Sequence, residues 1–226
     1  MQTKYIVHVA FAIGITVTNI CSVDTRIEKK EIEEEIPLTE DLMREHGLLN
    51  RILLIYEEIA RRLDNNETPL KALGQAASII QDFIENYHEK LEENYLFPLF
   101  EKNKKHVPLI KTLRQQHTAG RAITAKLKDI AQSEDILDKK TKKYAITLIK
   151  KFVRMYRPHE AQEDTILFPE VRSLISKKEF EKLSEKFEDM EHELFGKKGF
   201  FMMLKKVEKI EKALGIYKLA QFTSSL

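Results

Sequence analysis

The sequence predicts an all-α protein: an up-down-up-down four-helix bundle with one or two helices appended at its C-terminal end. Three observations support this fold class. Glycine and proline are scarce, with 7 and 6 among 226 residues, which favours helices. Four long segments place apolar residues at the three- and four-residue spacing of amphipathic helices. The connections between these segments are short, so successive helices are expected to be antiparallel neighbours.

Thr39 is predicted to be the N-cap of the first helix, because threonine is preferred at N-caps and two acidic residues follow it in the first turn. The pair Asn65-Asn66 ends this helix. The second helix is expected over about residues 69–102. Pro69 would occupy its first helical position, where the missing N–H costs nothing.

The third helix opens at Val107-Pro108 and contains Gly120, which weakens helix propensity but lets a neighbouring helix approach closely. The fourth begins around residues 135–138 and is expected to run to about residue 174. After it, Ser176 has the features of an N-cap for a further helix. Residues 200–214 form a last amphipathic pattern, expected to pack on one end or side of the bundle.

Residues 1–22 differ in composition from the rest of the chain. Lys4 precedes an uncharged, mostly apolar run that reaches Cys21, which is typical of a secretory signal peptide with cleavage before Ser22. The alternatives are a lipoprotein acylated at Cys21, a buried N-terminal segment, and an uncleaved membrane anchor, although the run is shorter than the roughly 20 residues that span a bilayer. We expect an extracytoplasmic protein: secreted, periplasmic or tethered to the membrane by its N-terminus.

Three regions are predicted in the rest of the chain: a charged linker over residues 23–38, a helical domain over 39–195 and a C-terminal helical extension over 196–226. The formal net charge of +2 is spread along the sequence, so no basic stripe indicates a nucleic-acid partner. Cys21 is the single cysteine, which excludes a disulfide framework and clusters of thiolate ligands. A bound metal would therefore use nitrogen and oxygen ligands.

One short motif occurs twice. It reads HEKLEENYLFP from His88 and HEAQEDTILFP from His159, and each copy places a histidine and a glutamate four residues apart on one helical face. A further histidine lies 42 residues upstream of each copy. The six candidate metal ligands are His46, His88, Glu92, His117, His159 and Glu163.

Helix lengths predict that these six side chains meet. At about 1.5 Å per residue, each histidine and glutamate lies at a similar height from the same end of the bundle. Converging imidazoles and carboxylates in an apolar interior would be costly without compensation, and two cations would supply it. Imidazole and carboxylate without thiolate favour iron, with manganese or zinc as alternatives. Open coordination positions would admit water, an oxo or hydroxo bridge, dioxygen, nitric oxide or peroxide.

This arrangement, H…HxxxE…H…HxxxE with Leu-Phe-Pro after each pair, resembles the hemerythrin-like (HHE) cation-binding domain family. The resemblance covers roughly residues 39–195 and implies a di-iron centre with Glu92 and Glu163 bridging. The pattern is similar to iron–sulfur cluster repair di-iron proteins and to an iron-sensing hemerythrin-like domain of a eukaryotic F-box protein.

The sequence departs from the oxygen-carrying hemerythrins, which have a histidine pair four residues apart on the third helix. Here the residues four positions from His117 are Leu113 and Arg121, so reversible oxygen carriage is not expected. Oxygen carriers also use an aspartate five residues after the last histidine. Asp164 occupies that position, which leaves it as an alternative to Glu163.

Three functional hypotheses follow. The first is a di-iron protein that senses or handles oxygen, nitric oxide, peroxide or iron; the second is a di-iron enzyme of the peroxide-consuming or iron-centre repair type; the third is a metal-free structural bundle. No separate catalytic residue is assigned. Of the acids near the motif, Glu93 is expected to be solvated. Glu89 and Glu160 are expected to be solvated or to support the ligands from behind, with ligation of the metal as the alternative.

Overall fold

The computed structural model describes residues 36–133 and 137–224. The predicted leader over residues 1–22 and nearly all of the charged linker lie outside the described residues. Within the described ranges the chain is helical and contains no strand, so the all-α fold class is confirmed. None of the helices in these ranges is both long enough and apolar enough to cross a membrane.

Six helices make up the described chain, and we number them in order. Helix α1 spans Leu38–Asp64, α2 spans residues 70–102 without a break, and α3 spans Val107–Ala131. Helix α4 covers residues 139–174, α5 covers Lys177–Phe195, and α6 covers Gly199–Leu214. A short 3₁₀ turn, Leu219–Phe222, follows.

The predicted N-cap of α1 was wrong. The N-cap is Pro37, two residues earlier, so the helix begins at Leu38, and no side chain caps it. Thr39 instead lies buried in the first turn. Pro37 fixes the entry of the chain because its ring restricts φ. By contrast, Ser176 caps α5 with a full capping box, in which its side chain and that of Glu179 exchange hydrogen bonds with backbone N–H groups.

Both copies of the repeated motif widen their helix into a π-helical turn directly at the glutamate. These turns cover Glu92–Leu96 in α2 and Glu163–Leu167 in α4, and a longer π segment, Ile80–His88, precedes the first of them. Each turn closes with a hydrogen bond from a phenylalanine N–H to the glutamate carbonyl five residues earlier. The helix then continues past the following proline. Local π turns are frequent at functional sites in helices.

The four longest helices enclose one core. Helix α1 packs against α4, α2 against α3, and α3 against α4. Gly120 permits the last contact: a Cβ atom there would lie 2.9 Å from Cζ of Tyr156 and closer still to its hydroxyl. The predicted close approach at Gly120 is confirmed, because such a distance is shorter than side chains tolerate.

The two C-terminal helices cover one side of α1 and α2. Phe195 and Phe200 place their rings 5.4 Å and 6.4 Å from the ring of Phe83 in α2. Arg51 in α1 makes a two-fold ion pair with the carboxylate of Glu211. Aromatic contacts and a paired arginine of this kind hold an appended helix in one position.

Candidate metal centre

The structure brings all six predicted ligands to one buried position among α1–α4. Helix α1 supplies His46, α2 supplies His88 and Glu92, α3 supplies His117, and α4 supplies His159 and Glu163. Their exposed fractions lie between 0% and 4%. Two overlapping groups have donor atoms close enough to share a metal ion: Glu92, His117, His159 and Glu163, and His46, His88 and Glu92.

The imidazoles form two pairs. The Nε2 atoms of His46 and His88 lie 3.0 Å apart, and those of His117 and His159 lie 3.2 Å apart. We call the first pair the α1–α2 half of the centre and the second pair the α3–α4 half. Two nitrogens bound at right angles to one ion, each about 2.1 Å from it, would lie about 3.0 Å apart. Both pairs therefore have the spacing of two ligands on one ion.

The two carboxylates lie between the pairs. Glu92 places Oε1 3.6 Å from Nε2 of His88 and Oε2 3.5 Å from Nε2 of His117. Glu163 places Oε2 3.5 Å from Nε2 of His46 and 3.1 Å from Nε2 of His159. Each carboxylate thus contacts one imidazole of each half, which is the arrangement expected of a bridging ligand.

A hydrogen bond behind each imidazole determines which ring nitrogen carries the proton. The Nδ1 atoms donate to oxygen acceptors at distances of 2.6 to 3.1 Å: His46 to Asp164, His88 to Glu45, His117 to Glu93, and His159 to Gln116. A neutral imidazole has one donor and one acceptor nitrogen, so every Nε2 presents its lone pair to the centre. Such partners are typical behind metal-bound histidines.

The donor set fits metal ions. All four carboxylate oxygens of Glu92 and Glu163 are buried without a hydrogen-bond partner, and the paired Nε2 atoms face each other as acceptors. Buried polar groups without partners are strongly destabilising. Cations between these atoms would satisfy them all. Nitrogen and oxygen donors without sulfur suit iron, manganese or zinc.

The pKa values of the central side chains also indicate that this position needs added positive charge. Burial and the charge of Glu163 raise the pKa of Glu92 well above its usual range. Burial also opposes ionisation of Glu163, but the positive charge that the imidazoles of His159, His46 and His117 carry when protonated outweighs it and lowers the pKa of Glu163. Burial lowers the pKa of His88, so protonation of this ring is disfavoured. The two carboxylates cannot both ionise here without added positive charge.

Asp164, the alternative to Glu163, lies behind an imidazole instead of between the pairs. Its Oδ1 accepts from Nδ1 of His46 at 2.7 Å, and its side chain is 33% exposed. The buried carboxylate that faces both imidazole pairs belongs to Glu163. Counting residues could not separate the two, because the wider π turn that begins at Glu163 decides which side chain points inward.

The expectation of a solvated Glu93 was wrong, and so was the solvated alternative for Glu89 and Glu160. Glu89 and Glu160 are 1% and 2% exposed. Glu89 accepts hydrogen bonds from Tyr156 and Arg121, whereas Glu160 accepts one from Asn50, and burial raises the pKa of Glu160 to about 9. The side chain of Glu93 is 12% exposed and makes ion pairs with Lys90 and Arg121.

Sequence reasoning missed the acceptors behind the histidines, although the sequence contains a signal for them. The two halves of the centre are related by an offset of 71 residues, which joins His46 to His117 and Glu92 to Glu163. The same offset pairs the Nδ1 acceptors. These pairs are Glu45 with Gln116, each directly before an upstream histidine, and Glu93 with Asp164, each directly after a glutamate of the motif.

Helices that bring imidazoles and carboxylates to one buried nitrogen–oxygen donor set define a helical metal-binding protein. The family model described as the hemerythrin HHE cation-binding domain matches residues 38–171, and the chain belongs to this family. It is also 45% identical over 196 residues to uncharacterized proteins of Mycobacterium tuberculosis and Mycobacterium bovis, an alignment covering 85% of this chain and 77% of each relative. No solved structure matches the chain.

Proposed function

We propose that this protein binds a non-haem di-iron centre within an up-down-up-down four-helix bundle. One observation supports this proposal most strongly. The four carboxylate oxygens of Glu92 and Glu163 are buried without hydrogen-bond partners and lie among four inward-facing imidazole nitrogens. A buried, unsatisfied set of this kind is unfavourable in a metal-free structural bundle. It is favourable around two cations, because each donor atom then has a partner.

The ligands divide between the two ions. His46 and His88 would hold one, His117 and His159 the other, and the two glutamates would bridge them. When bound, the centre supplies Lewis-acidic, redox-active positions for a small ligand. The surrounding chain holds the four imidazoles in the tautomer that carries its proton on Nδ1 and leaves the lone pair of Nε2 for the metal. It also keeps the carboxylates in place and excludes bulk water.

We further propose that the centre senses or handles dioxygen, nitric oxide, peroxide or iron. The third helix supports this over oxygen carriage. Leu113 is 1% exposed and has no donor atom, and Arg121 is engaged by Glu89 and Glu93, so neither provides a third imidazole for one ion. The predicted leader over residues 1–22 supports a location outside the cytoplasm.

Metal analysis tests the proposal. Protein purified from iron-containing medium should contain about two iron ions per chain, and His88→Ala should lose most of this iron. His192→Ala is the matched control, because His192 is partly exposed and pairs only loosely with Glu188, at 3.8 Å. Fewer than about one transition-metal ion per chain in the unaltered protein would overturn the proposal.

Optical spectroscopy then separates a sensor from an enzyme. A sensor should change its iron-dependent absorption on adding oxygen or nitric oxide without turnover. Sustained consumption of peroxide that His88→Ala abolishes and His192→Ala retains would instead assign an enzyme.

A further inference from the structure

The hydrogen-bond acceptors behind the four imidazoles differ between the two halves of the centre. In the α1–α2 half both acceptors are carboxyl groups, Asp164 behind His46 and Glu45 behind His88. In the α3–α4 half one acceptor is the carboxylate of Glu93. The other is the amide oxygen of Gln116, 2.8 Å from Nδ1 of His159.

Positive charge is distributed unequally as well. In the α3–α4 half, Arg121 lies 2.7 Å from a carboxylate oxygen of both Glu93 and Glu89, and Lys90 lies 2.6 Å from Glu93. Two cations therefore compensate these two carboxylates. Within the described part of the chain, neither Asp164 nor Glu45 forms an ion pair with a lysine or arginine. The 71-residue offset places Asn50 in the α1–α2 half where the α3–α4 half has Arg121.

A carboxylate that accepts a hydrogen bond from a ligand imidazole makes the imidazole a stronger electron donor to its metal. An amide acceptor does this less, since it carries no net charge. Added negative charge stabilises the higher oxidation state of a nearby ion, and added positive charge stabilises the lower one. The amide acceptor and the compensating cations both leave less negative charge behind the imidazoles of the α3–α4 half. This holds whether Glu45 is ionised or protonated, because Asp164 alone outweighs the compensated Glu93.

We infer that the two metal positions are electronically unequal, and that the ion held by His117 and His159 is the more easily reduced. Gln116 acts as a positioning residue that sets this difference through His159. The inference rests on the proposed di-iron function and adds which ion accepts the first electron.

Three variants test the assignment. Gln116→Glu gives the α3–α4 half the residue type that Glu45 provides in the other half. Asp164→Asn removes a carboxylate from the α1–α2 half. Gln115→Glu is the matched control: it adds the same charge one residue away, on an exposed side chain, without contacting an imidazole.

The measurement is a redox titration of the iron-loaded protein, with the mixed-valent state followed by electron paramagnetic resonance, to give two one-electron midpoint potentials. Gln116→Glu should lower the first potential by roughly 59 mV, a tenfold change in the reduction equilibrium. Gln115→Glu should shift it by less than a third of that. Asp164→Asn should raise mainly the second potential, because its nearest ion accepts the second electron.

Several outcomes would overturn the inference while leaving the di-iron function intact. They are equal shifts from Gln116→Glu and Gln115→Glu, or a first potential that moves with Asp164→Asn but not with Gln116→Glu. If Gln116→Glu does not retain iron, Asp164→Asn decides the assignment by which of the two potentials it moves. Failure of the unaltered protein to bind iron would instead overturn the function itself.

Discussion

The α1–α2 half and the α3–α4 half of the centre correspond residue by residue at an offset of 71, but only at the ligands is the correspondence complete. Histidine matches histidine and glutamate matches glutamate at every ligand position. Behind the ligands, Glu45 corresponds to Gln116 and Asn50 to Arg121. In the proposed di-iron centre, the ligand identities would follow from the donor atoms that the ions require, whereas the surrounding residues would be free to differ and to adjust each ion separately.

The packing around the two halves differs in the same way. Leu49 fills its place in the core and is 1% exposed, whereas its counterpart Gly120 leaves a space that Tyr156 occupies. Tyr156 corresponds in turn to Glu85. The hydroxyl of Tyr156 donates to Glu89 at 2.6 Å, while Oε1 of Glu85 is buried without a partner.

The largest expected effect is the loss of metal from both halves of the centre at once. Because each bridging carboxylate contacts both imidazole pairs, Glu92→Gln and Glu163→Gln should each reduce the iron content from about two ions per chain towards zero. In metal-free protein near neutral pH, Glu92→Gln should raise the free energy of unfolding by about 1–3 kcal/mol, because the raised pKa of Glu92 makes its ionisation unfavourable in the folded state. Glu163→Gln should not give this gain, because the pKa of Glu163 is lowered in the folded state.

The exposed Glu188→Gln is the control for these variants, with iron content by elemental analysis and stability by chemical denaturation as the measurements. A variant of either bridging residue that still binds one ion tightly would show that the halves bind metal independently.

A smaller effect is expected where the packing of the halves differs. Gly120→Ala should lower the free energy of unfolding by about 2 kcal/mol, because the new methyl group overlaps the hydroxyl and ring of Tyr156. Tyr156→Phe in the same protein should recover part of this loss by removing the closest atom.

Gly47→Ala is the matched control, because Gly47 lies within α1 and has no atom within 4 Å of an added Cβ. It should stabilise the protein by roughly 0.5–1 kcal/mol through helix propensity. A similar gain from Gly120→Ala would show that Tyr156 moves aside without cost.

The ligands and the helices were accessible from the sequence because both are periodic. The doubled HxxxE motif and the apolar spacing locate His88, Glu92 and their counterparts, and Asp138 caps α4 near the predicted start. The partners behind the ligands were not accessible, since they depend on contacts between helices. Glu45 contacts an imidazole of α2, and Asp164 contacts one of α1. No local pattern on a single helix predicts such a contact.

The smallest effect is expected at Glu85, the counterpart of Tyr156, whose Oε1 has no hydrogen-bond partner. Burial raises the pKa of Glu85 to about 7, above its ordinary value of about 4.3. Between these values the folded state holds a proton that the unfolded state releases, so stability falls as pH rises. Glu85→Gln cannot ionise. It should match the unaltered protein near pH 5 and exceed its unfolding free energy by about 1–2 kcal/mol near pH 8, after allowance for partial solvent screening.

Denaturation of metal-free protein across this pH range measures the difference, with Asp82→Asn, an exposed carboxylate on the same helix, as the control. If Glu85→Gln gives no greater gain at pH 8 than at pH 5, the buried carboxyl must obtain a compensating cation in solution, and Arg121 or Lys128, the nearest positive charges, would supply it. Glu85 would then have a partner, just as Tyr156 has one in Glu89. The two halves would be more alike in their packing than in the residues behind their histidines.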